Sequence, residues 1–304
     1  MQASALVSEL EPVAGRLLDR HLASAREWFP HELIPYERGR AARPGAWTEA
    51  DADLGGASLP EAVRSSLYVN LLTEDNLPYY LRDIHILFGG DDAWGAWARR
   101  WTAEEGRHSM AIYGYLMVTR AVDPVALERG RMCQVSTGQV PAPVSAHDGL
   151  VYLTLQELAT RIAHRNTGKM LGDPVGYELM ARVASDENLH HLFYRDLATA
   201  AFDADPSAMV LATEREVRGF AMPGTGIPDF DRHAALIARA GIYDLAIHHN
   251  QIVVPVVMKQ WRLGELTGLS PEADAARDRI LDHIDRMGRI AERLRARQNA
   301  EAAG

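Results

Sequence analysis

Two short segments of the sequence place a carboxylate and an imidazole three residues apart. Glu105 precedes His108, and Glu187 precedes His190. Residues i and i+3 of a helix lie on one face, so each pair can present both side chains to the same point. An exposed helix can carry one such pair by chance, so either pair alone is weak evidence for a metal site.

Another acid precedes each pair at nearly the same distance. Glu74 lies 31 residues before Glu105, and Glu157 lies 30 residues before Glu187. That separation suits one long helix and a turn, after which an antiparallel partner returns to the same depth. The sequence therefore predicts two matching helix hairpins.

The four acids and two histidines match the ligand arrangement of dinuclear carboxylate proteins, in which bundle helices donate Glu, Glu-x-x-His, Glu and Glu-x-x-His. The predicted metal ligands are Glu74, Glu105, His108, Glu157, Glu187 and His190. Four carboxylates balance two divalent cations, which offsets the cost of clustering acids inside a bundle. The sulfur-free set favours two iron ions over zinc and leaves manganese as an alternative. We expect Glu105 and Glu187 to bridge the ions.

The neighbouring residues indicate that this site is buried. Glu74 follows Leu72, and Glu157 precedes Leu158, both within apolar stretches. Unpaired carboxylates would be costly there. The alternative, an acid on a solvated helix face, suits Glu104 or Glu178 better.

Two further acids directly precede predicted ligands. Glu104 and Asp186 could each accept the outer ring N–H of a metal-bound histidine and fix its tautomer, although plain surface acids are an alternative. Other histidines lie near these helices, and we interpret them as packed or surface residues because the ligand set is already complete. They are His164, His191, His248 and His249.

Helical periodicity dominates the chain, and no alternating strand pattern or hairpin signal is evident, so the predicted fold class is all-α. The predicted helices span about 5–28, 59–88, 91–122, 148–171, 174–202, 206–220, 230–241, 243–263 and 271–298. Proline and glycine separate them without a long linker. We predict a single domain, with an N-terminal helical extension at 1–27, a four-helix metal-binding core at 59–202 and flanking helices at 203–304.

Composition and charge argue against several other classes of protein. The net charge of −9 makes nucleic acid an unsuitable main partner. No apolar run approaches the ~20 residues that span a bilayer, and the first residues lack a signal-peptide pattern. Cys133 is the single cysteine, so no intramolecular disulfide is possible. We expect a cytoplasmic protein.

Several stretches resemble the soluble acyl-carrier-protein desaturases, especially their actinobacterial branch. They are LTEDNLPYY (72–80), WTAEEGRHS (101–109), LQELATRIAHRNTGK (155–169) and SDENLHHLFYRD (185–196). A later stretch, WRLGELTGLS (261–270), is similar to the plant stearoyl-type members. The resemblance runs in the same order from about Trp28 onward.

The resemblance implies a ferritin-like di-iron four-helix bundle with additional flanking helices. It also implies O2-dependent insertion of a cis double bond into a saturated fatty acyl chain carried on acyl carrier protein. Ferredoxin or a similar protein would supply the electrons, and the protein would be a homodimer. All six ligands match the family pattern, and Thr160 matches an active-site threonine thought to help deliver protons. Gly106 and His191 depart from the pattern without removing a ligand.

Other functions use the same ligands. One alternative is another di-iron oxygenase, such as a hydroxylase or an N-oxygenase. Others are a ferritin-like iron-storage protein and a homologue that has lost turnover. The chain length and the extent of the resemblance favour the desaturase.

The last predicted helix carries a candidate docking surface for the acidic carrier protein. Four arginines recur there at spacings of three or four and form one stripe: Arg286, Arg289, Arg293 and Arg297. A separate apolar stripe, Ile280, Ile284, Met287 and Leu294, could anchor the helix. A solvated cationic face is the alternative, and Arg38, Arg40 and Arg43 form a rival basic site.

Overall fold

The computed structural model describes residues 5–39, 47–48, 59–138, 140–224 and 226–303, and these residues contain helices and no strand. The predicted all-α class is confirmed. The main helices are α1 (Ala5–Ser24), α2 (Glu61–Glu74), α3 (Leu77–Phe88), α4 (Asp92–Thr119), α5 (Pro124–Thr137), α6 (Ala146–Met170), α7 (Pro174–Ala204), α8 (Pro206–Gly219), α9 (Phe230–Arg239), α10 (Leu245–Ile247, continuing as a π-helix over His248–Gln260) and α11 (Pro271–Ala303).

The predicted ligands lie on α2, α4, α6 and α7. In the second predicted hairpin, formed by α6 and α7, a side-chain cap marks the start of each helix. The Ser145 side chain accepts the backbone N–H of Asp148 at the start of α6, and the Asp173 side chain accepts that of Gly176 at the start of α7. Gly168 lets α6 approach α7 closely, since a Cβ there would lie 2.9 Å from the Cβ of Met180.

The single helix predicted over 59–88 is wrong, because the chain forms two helices, α2 and α3. The break falls at Asp75 and Asn76, directly after Glu74. Pro78, in the first turn of α3, lacks the N–H that a continuous helix would use. Glu74 is therefore the last residue of α2.

Helix α5 was absent from the predicted helices. Its termini carry recognisable signals, with Asp123 as a capping residue before Pro124 and Gly138 in the left-handed conformation after the end. Its buried face, however, consists of Leu127, Gly130 and Gln134 only. So thin an apolar stripe gives little helical periodicity to detect.

The flanking helices complete the core. On α11, Ile280, Ile284 and Met287 are buried as predicted, but Leu294 is 44% exposed. The predicted anchor stripe is therefore wrong at Leu294, because residues 292–298 of this helix are all exposed. Within the described part of the chain, no helix is both long and apolar enough to cross a membrane.

Candidate metal centre

The six predicted ligands converge in two overlapping groups. One group contains Glu74, Glu105, His108 and Glu187, and the other contains Glu105, Glu157, Glu187 and His190. Within each group, one ligand atom per residue lies within 4.8 Å of the others. Glu105 and Glu187 belong to both groups, which is the arrangement expected of bridging carboxylates.

The two imidazoles face the shared acids from opposite ends. His190 Nδ1 lies 2.9 Å from Glu105 Oε1 and 3.6 Å from Glu187 Oε2. His108 Nδ1 lies 3.5 Å from an oxygen of each of the same two acids. The centre therefore offers two equivalent ends, each with one histidine and one unshared carboxylate.

Unpaired polar atoms at the centre fit bound cations. Every ligand is buried, yet several of their atoms have no hydrogen-bond partner among the described residues. These atoms are Glu105 Oε1, His108 Nδ1, Glu157 Oε2, Glu187 Oε2 and His190 Nδ1. Buried polar groups are normally paired, so a cluster of unpaired ligand atoms of this chemistry suits two metal ions.

Burial and mutual repulsion make the two unshared acids reluctant to ionise. Burial, followed by the nearby charge of Glu105, raises the pKa of Glu74 to about 8. Burial, followed by the charges of Glu187 and Glu105, raises the pKa of Glu157 well above its ordinary value. Bound cations would favour the ionised form of both carboxyls, because a nearby positive charge lowers the pKa of a carboxyl group.

The Nε2 atom of each candidate ligand histidine lies next to a carboxylate that directly precedes the other Glu-x-x-His segment. His190 Nε2 lies 2.9 Å from Glu104 Oε2, and His108 Nε2 lies 3.2 Å from Asp186 Oδ2. A carboxylate can only accept, so each Nε2 carries the proton and each Nδ1 is left free to face the centre. Glu104 and Asp186 therefore lie where each can accept the outer ring N–H of a candidate ligand histidine, as the sequence suggested.

Other residues of the site were not predicted. Trp101 donates to Glu157 Oε1 at 3.1 Å, and Trp28 donates to Asp186 Oδ2 at 2.9 Å. Arg107 also pairs with Asp186. Trp101 and Arg107 lie on α4, but the acids that they contact lie on α6 and α7, and no local spacing predicts a contact between helices.

The additional histidines are packed, but one of them contacts the centre. His164 Nε2 lies 2.9 Å from Glu74 Oε1, and its position seven residues after Glu157 puts it on the same face of α6. The seven-residue spacing between Glu157 and His164 was the sequence signal from which this contact could have been predicted. His191 and His248 are buried away from the ligands, and burial lowers the pKa of each to about 4, so both are neutral near pH 7.

A cavity of about 400 Å³ adjoins the centre, and both Glu74 and Thr160 line it. Thr160 Oγ1 donates to the backbone carbonyl oxygens of Gln156 and Glu157, at 3.2 and 3.1 Å. The segment around α9 also lines the cavity with mostly apolar side chains, including Phe220, Met222, Phe230, Ala234, Ile237 and Tyr243. The cavity can therefore receive an apolar chain next to the candidate ligands.

Four helices present two carboxylate-histidine groups with two shared acids, which is the ligand arrangement of dinuclear carboxylate proteins, so this buried cluster could hold metal. The chain belongs to the fatty acid desaturase family, whose sequence model, described as "Fatty acid desaturase", matches residues 2–303.

Named relatives and a solved structure agree with this family. The chain is 43% identical over 283 residues to DesA1 of Mycobacterium tuberculosis, whose name assigns it to the acyl-[acyl-carrier-protein] desaturases; the match covers 90% of this chain and 83% of that protein. It is 30% identical to the rice (Oryza sativa subsp. japonica) protein named acyl-[acyl-carrier-protein] desaturase 6, chloroplastic, covering 89% of this chain and 69% of the relative. The X-ray structure of DesA2 from M. tuberculosis H37Rv superposes with a TM-score of 0.72 and 26% identity, covering 90% of this chain and 99% of that chain. The ferritin-like helical fold is thereby confirmed.

Proposed function

We propose that this protein is an acyl-[acyl-carrier-protein] desaturase that introduces a cis double bond into a saturated fatty acyl chain. The observation that carries the proposal is the complete set of six ligands beside a largely apolar cavity. A saturated acyl chain has no polar group that the protein could hydrogen-bond. The walls of the cavity must therefore place one carbon pair beside the metals.

The proposed cofactor is a pair of iron ions. Glu74 and His108 would hold one ion, Glu157 and His190 the other, and the two acids common to both groups would bridge them. Bound iron would supply O2 activation and removal of hydrogen from an unactivated carbon. Manganese would accept the same oxygen and nitrogen ligands and is the alternative metal.

The protein's own residues would orient the substrate and handle protons. The wall around α9 would exclude water from the cavity that receives the acyl chain. Thr160 lines this cavity together with Glu74 and carries a hydroxyl proton, which rotation about its side-chain bond would turn toward the candidate ligands, where O2 would be reduced. We propose that Thr160 delivers protons during turnover, with ferredoxin or a similar protein as electron donor.

Oxygen consumption tests this function against the alternatives. The iron-loaded protein, supplied with reduced ferredoxin, should consume O2 only when a saturated acyl-[acyl-carrier-protein] is present. Equal consumption without any acyl chain would favour an iron-oxidising storage protein, and no consumption with any chain would favour a homologue that has lost turnover.

The cytoplasmic location stays a prediction from the sequence.

The docking proposal rests on the arginine stripe of α11. Arg286, Arg289, Arg293 and Arg297 are exposed, and none has an ion pair with another described residue. Arg277 and Arg279, earlier on the same helix, are instead paired with Asp274 and Glu214. A row of cations without ion pairs suits an acidic partner, although Asp282, Asp285 and Glu292 on the same helix reduce its net positive charge.

Charge reversal tests the docking stripe. The double variant Arg289→Glu, Arg293→Glu should raise the apparent KM for acyl carrier protein about 10-fold at low ionic strength, because several exposed attractions become repulsions. The effect should shrink at high salt. Arg26→Glu with Arg129→Glu, an equal charge change at exposed sites elsewhere, is the control. An unchanged KM in the stripe variant would remove α11 from the interface.

Only Arg38 of the rival basic site lies within the described residues. Arg38 Nη1 lies 3.0 Å from Asp173 Oδ1, so its charge is partly compensated. Arg40 and Arg43 lie outside the described residues.

We also propose a homodimer. Large apolar side chains are exposed on neighbouring helices, with Met110 of α4 67% exposed and Met132 of α5 55% exposed, and a second copy could cover such residues. Sedimentation at micromolar concentration should give twice the mass of one chain. Sedimentation as a monomer would contradict this proposal.

A further inference from the structure

A histidine of the first helix reaches the metal centre through one of its outer acids. His21 Nε2 lies 3.0 Å from Glu104 Oε2, the same oxygen that lies 2.9 Å from His190 Nε2. The other oxygen, Oε1, accepts from Arg100 Nε at 2.7 Å. Glu104 is thus held by three donors from three helices.

The surrounding rings keep His21 in this position. Both His21 and Glu104 are buried, at 4% and 3% exposed. The His21 ring is nearly parallel to that of His190, with centroids 5.9 Å apart, and it meets Trp97 edge-on at 5.0 Å. Ring packing leaves His21 Nε2 aimed at the carboxylate.

These three residues form a hydrogen-bond relay and not a third cation site, although their ligand atoms lie close together. A carboxylate only accepts, so both imidazoles must donate to Glu104 through a protonated Nε2. His190 needs that proton on Nε2 in order to present a free Nδ1 to the centre. Arg100 further compensates the charge of Glu104.

The other candidate ligand histidine has a matching arrangement. Trp28 donates to Asp186, which lies against His108. The first helix and the residues that follow it therefore contribute one donor to each outer acid. The stretch predicted as an N-terminal extension, 1–27, supplies the contact from His21, and Trp28, directly after it, supplies the contact at the other end of the centre.

We infer that His21 is a positioning residue of the metal centre, which acts through Glu104 to hold His190 in its ligating orientation. This inference rests on the proposed di-iron function. Loss of the His21 donor would leave one lone pair of Glu104 Oε2 unfilled in a buried site. The carboxylate could then rotate, and His190 would present Nδ1 to the metal less rigidly.

Iron binding by His21 variants tests the inference without an activity assay. We expect His21→Leu, which keeps the bulk and removes the donor, to weaken iron binding at least about 10-fold, the size of effect usual for such outer contacts. His21→Gln, whose amide can still donate, should restore most of the affinity. Competition with a chelator, followed by iron analysis per chain, gives the measurement.

Leu10→Ala is the control for a purely structural role of α1. Leu10 is 2% exposed, so its truncation should lower the melting temperature while iron affinity stays unchanged. Wild-type affinity in His21→Leu, no rescue by His21→Gln, or an equal loss in Leu10→Ala would overturn the inference while wild type still binds iron. A wild-type protein that binds no iron would overturn the proposed function as well.

Discussion

Replacement of Glu105 by alanine should reduce desaturation to the background rate. Glu105 belongs to both ligand groups, so its loss removes a ligand from each proposed iron ion. The helices should stay folded, because the substitution also removes one negative charge from a crowded buried cluster. His190→Ala should have the same effect, since it removes the histidine from one end of the centre. Product formation, iron per chain and far-ultraviolet circular dichroism measure these outcomes.

Glu178→Ala provides a matched control. Glu178 is an exposed acid on α7, the helix that also carries Glu187 and His190. Its removal should change neither the iron content nor the rate. Near-normal turnover of Glu105→Ala or His190→Ala would rule out the proposed chemistry.

Filling the cavity should abolish turnover without disturbing the metals. Ala234 lies on α9 and lines the same cavity as Thr160. A tryptophan there would occupy much of a cavity of about 400 Å³ and displace the acyl chain from the metals. Because even small misplacement of a substrate is costly, we expect kcat/KM to fall at least about 100-fold. Iron per chain should match that of the wild type.

The neighbouring alanine separates cavity filling from a general effect on α9. Ala235 is exposed on the same helix, so Ala235→Trp adds the same bulk outside the cavity. That variant should retain wild-type kcat/KM and melting temperature. Equal activity of the two tryptophan variants would show that the acyl chain does not occupy this cavity.

The candidate ligands could be predicted from sequence because their geometry is local or repeated. Glu105 and His108 share a helix face, and the nearly equal separations of Glu74 and Glu157 from the two pairs indicate antiparallel partner helices. Glu104 and Asp186 could be predicted from the sequence as well, because each directly precedes a candidate ligand. The structure adds that each of these outer acids serves the histidine of the opposite segment.

Contacts that depend on tertiary packing were not predictable in this way. His21 lies 83 residues from Glu104 in the chain, so neither periodicity nor spacing relates the two side chains. The break after Glu74 was hidden by continuous helical patterning, although Pro78 marks it. Helix α5 was missed because a small buried face leaves almost no amphipathic pattern.

Identification of the product tests the central claim most directly. The iron-loaded protein should be combined with ferredoxin, its reductase, O2 and a panel of acyl carrier proteins that bear saturated chains of different lengths. The account predicts, by mass spectrometry of the released fatty acids, a cis-monounsaturated product that has lost two hydrogens from at least one chain. A product that has instead gained one oxygen atom, or unchanged chains throughout the panel, would contradict it.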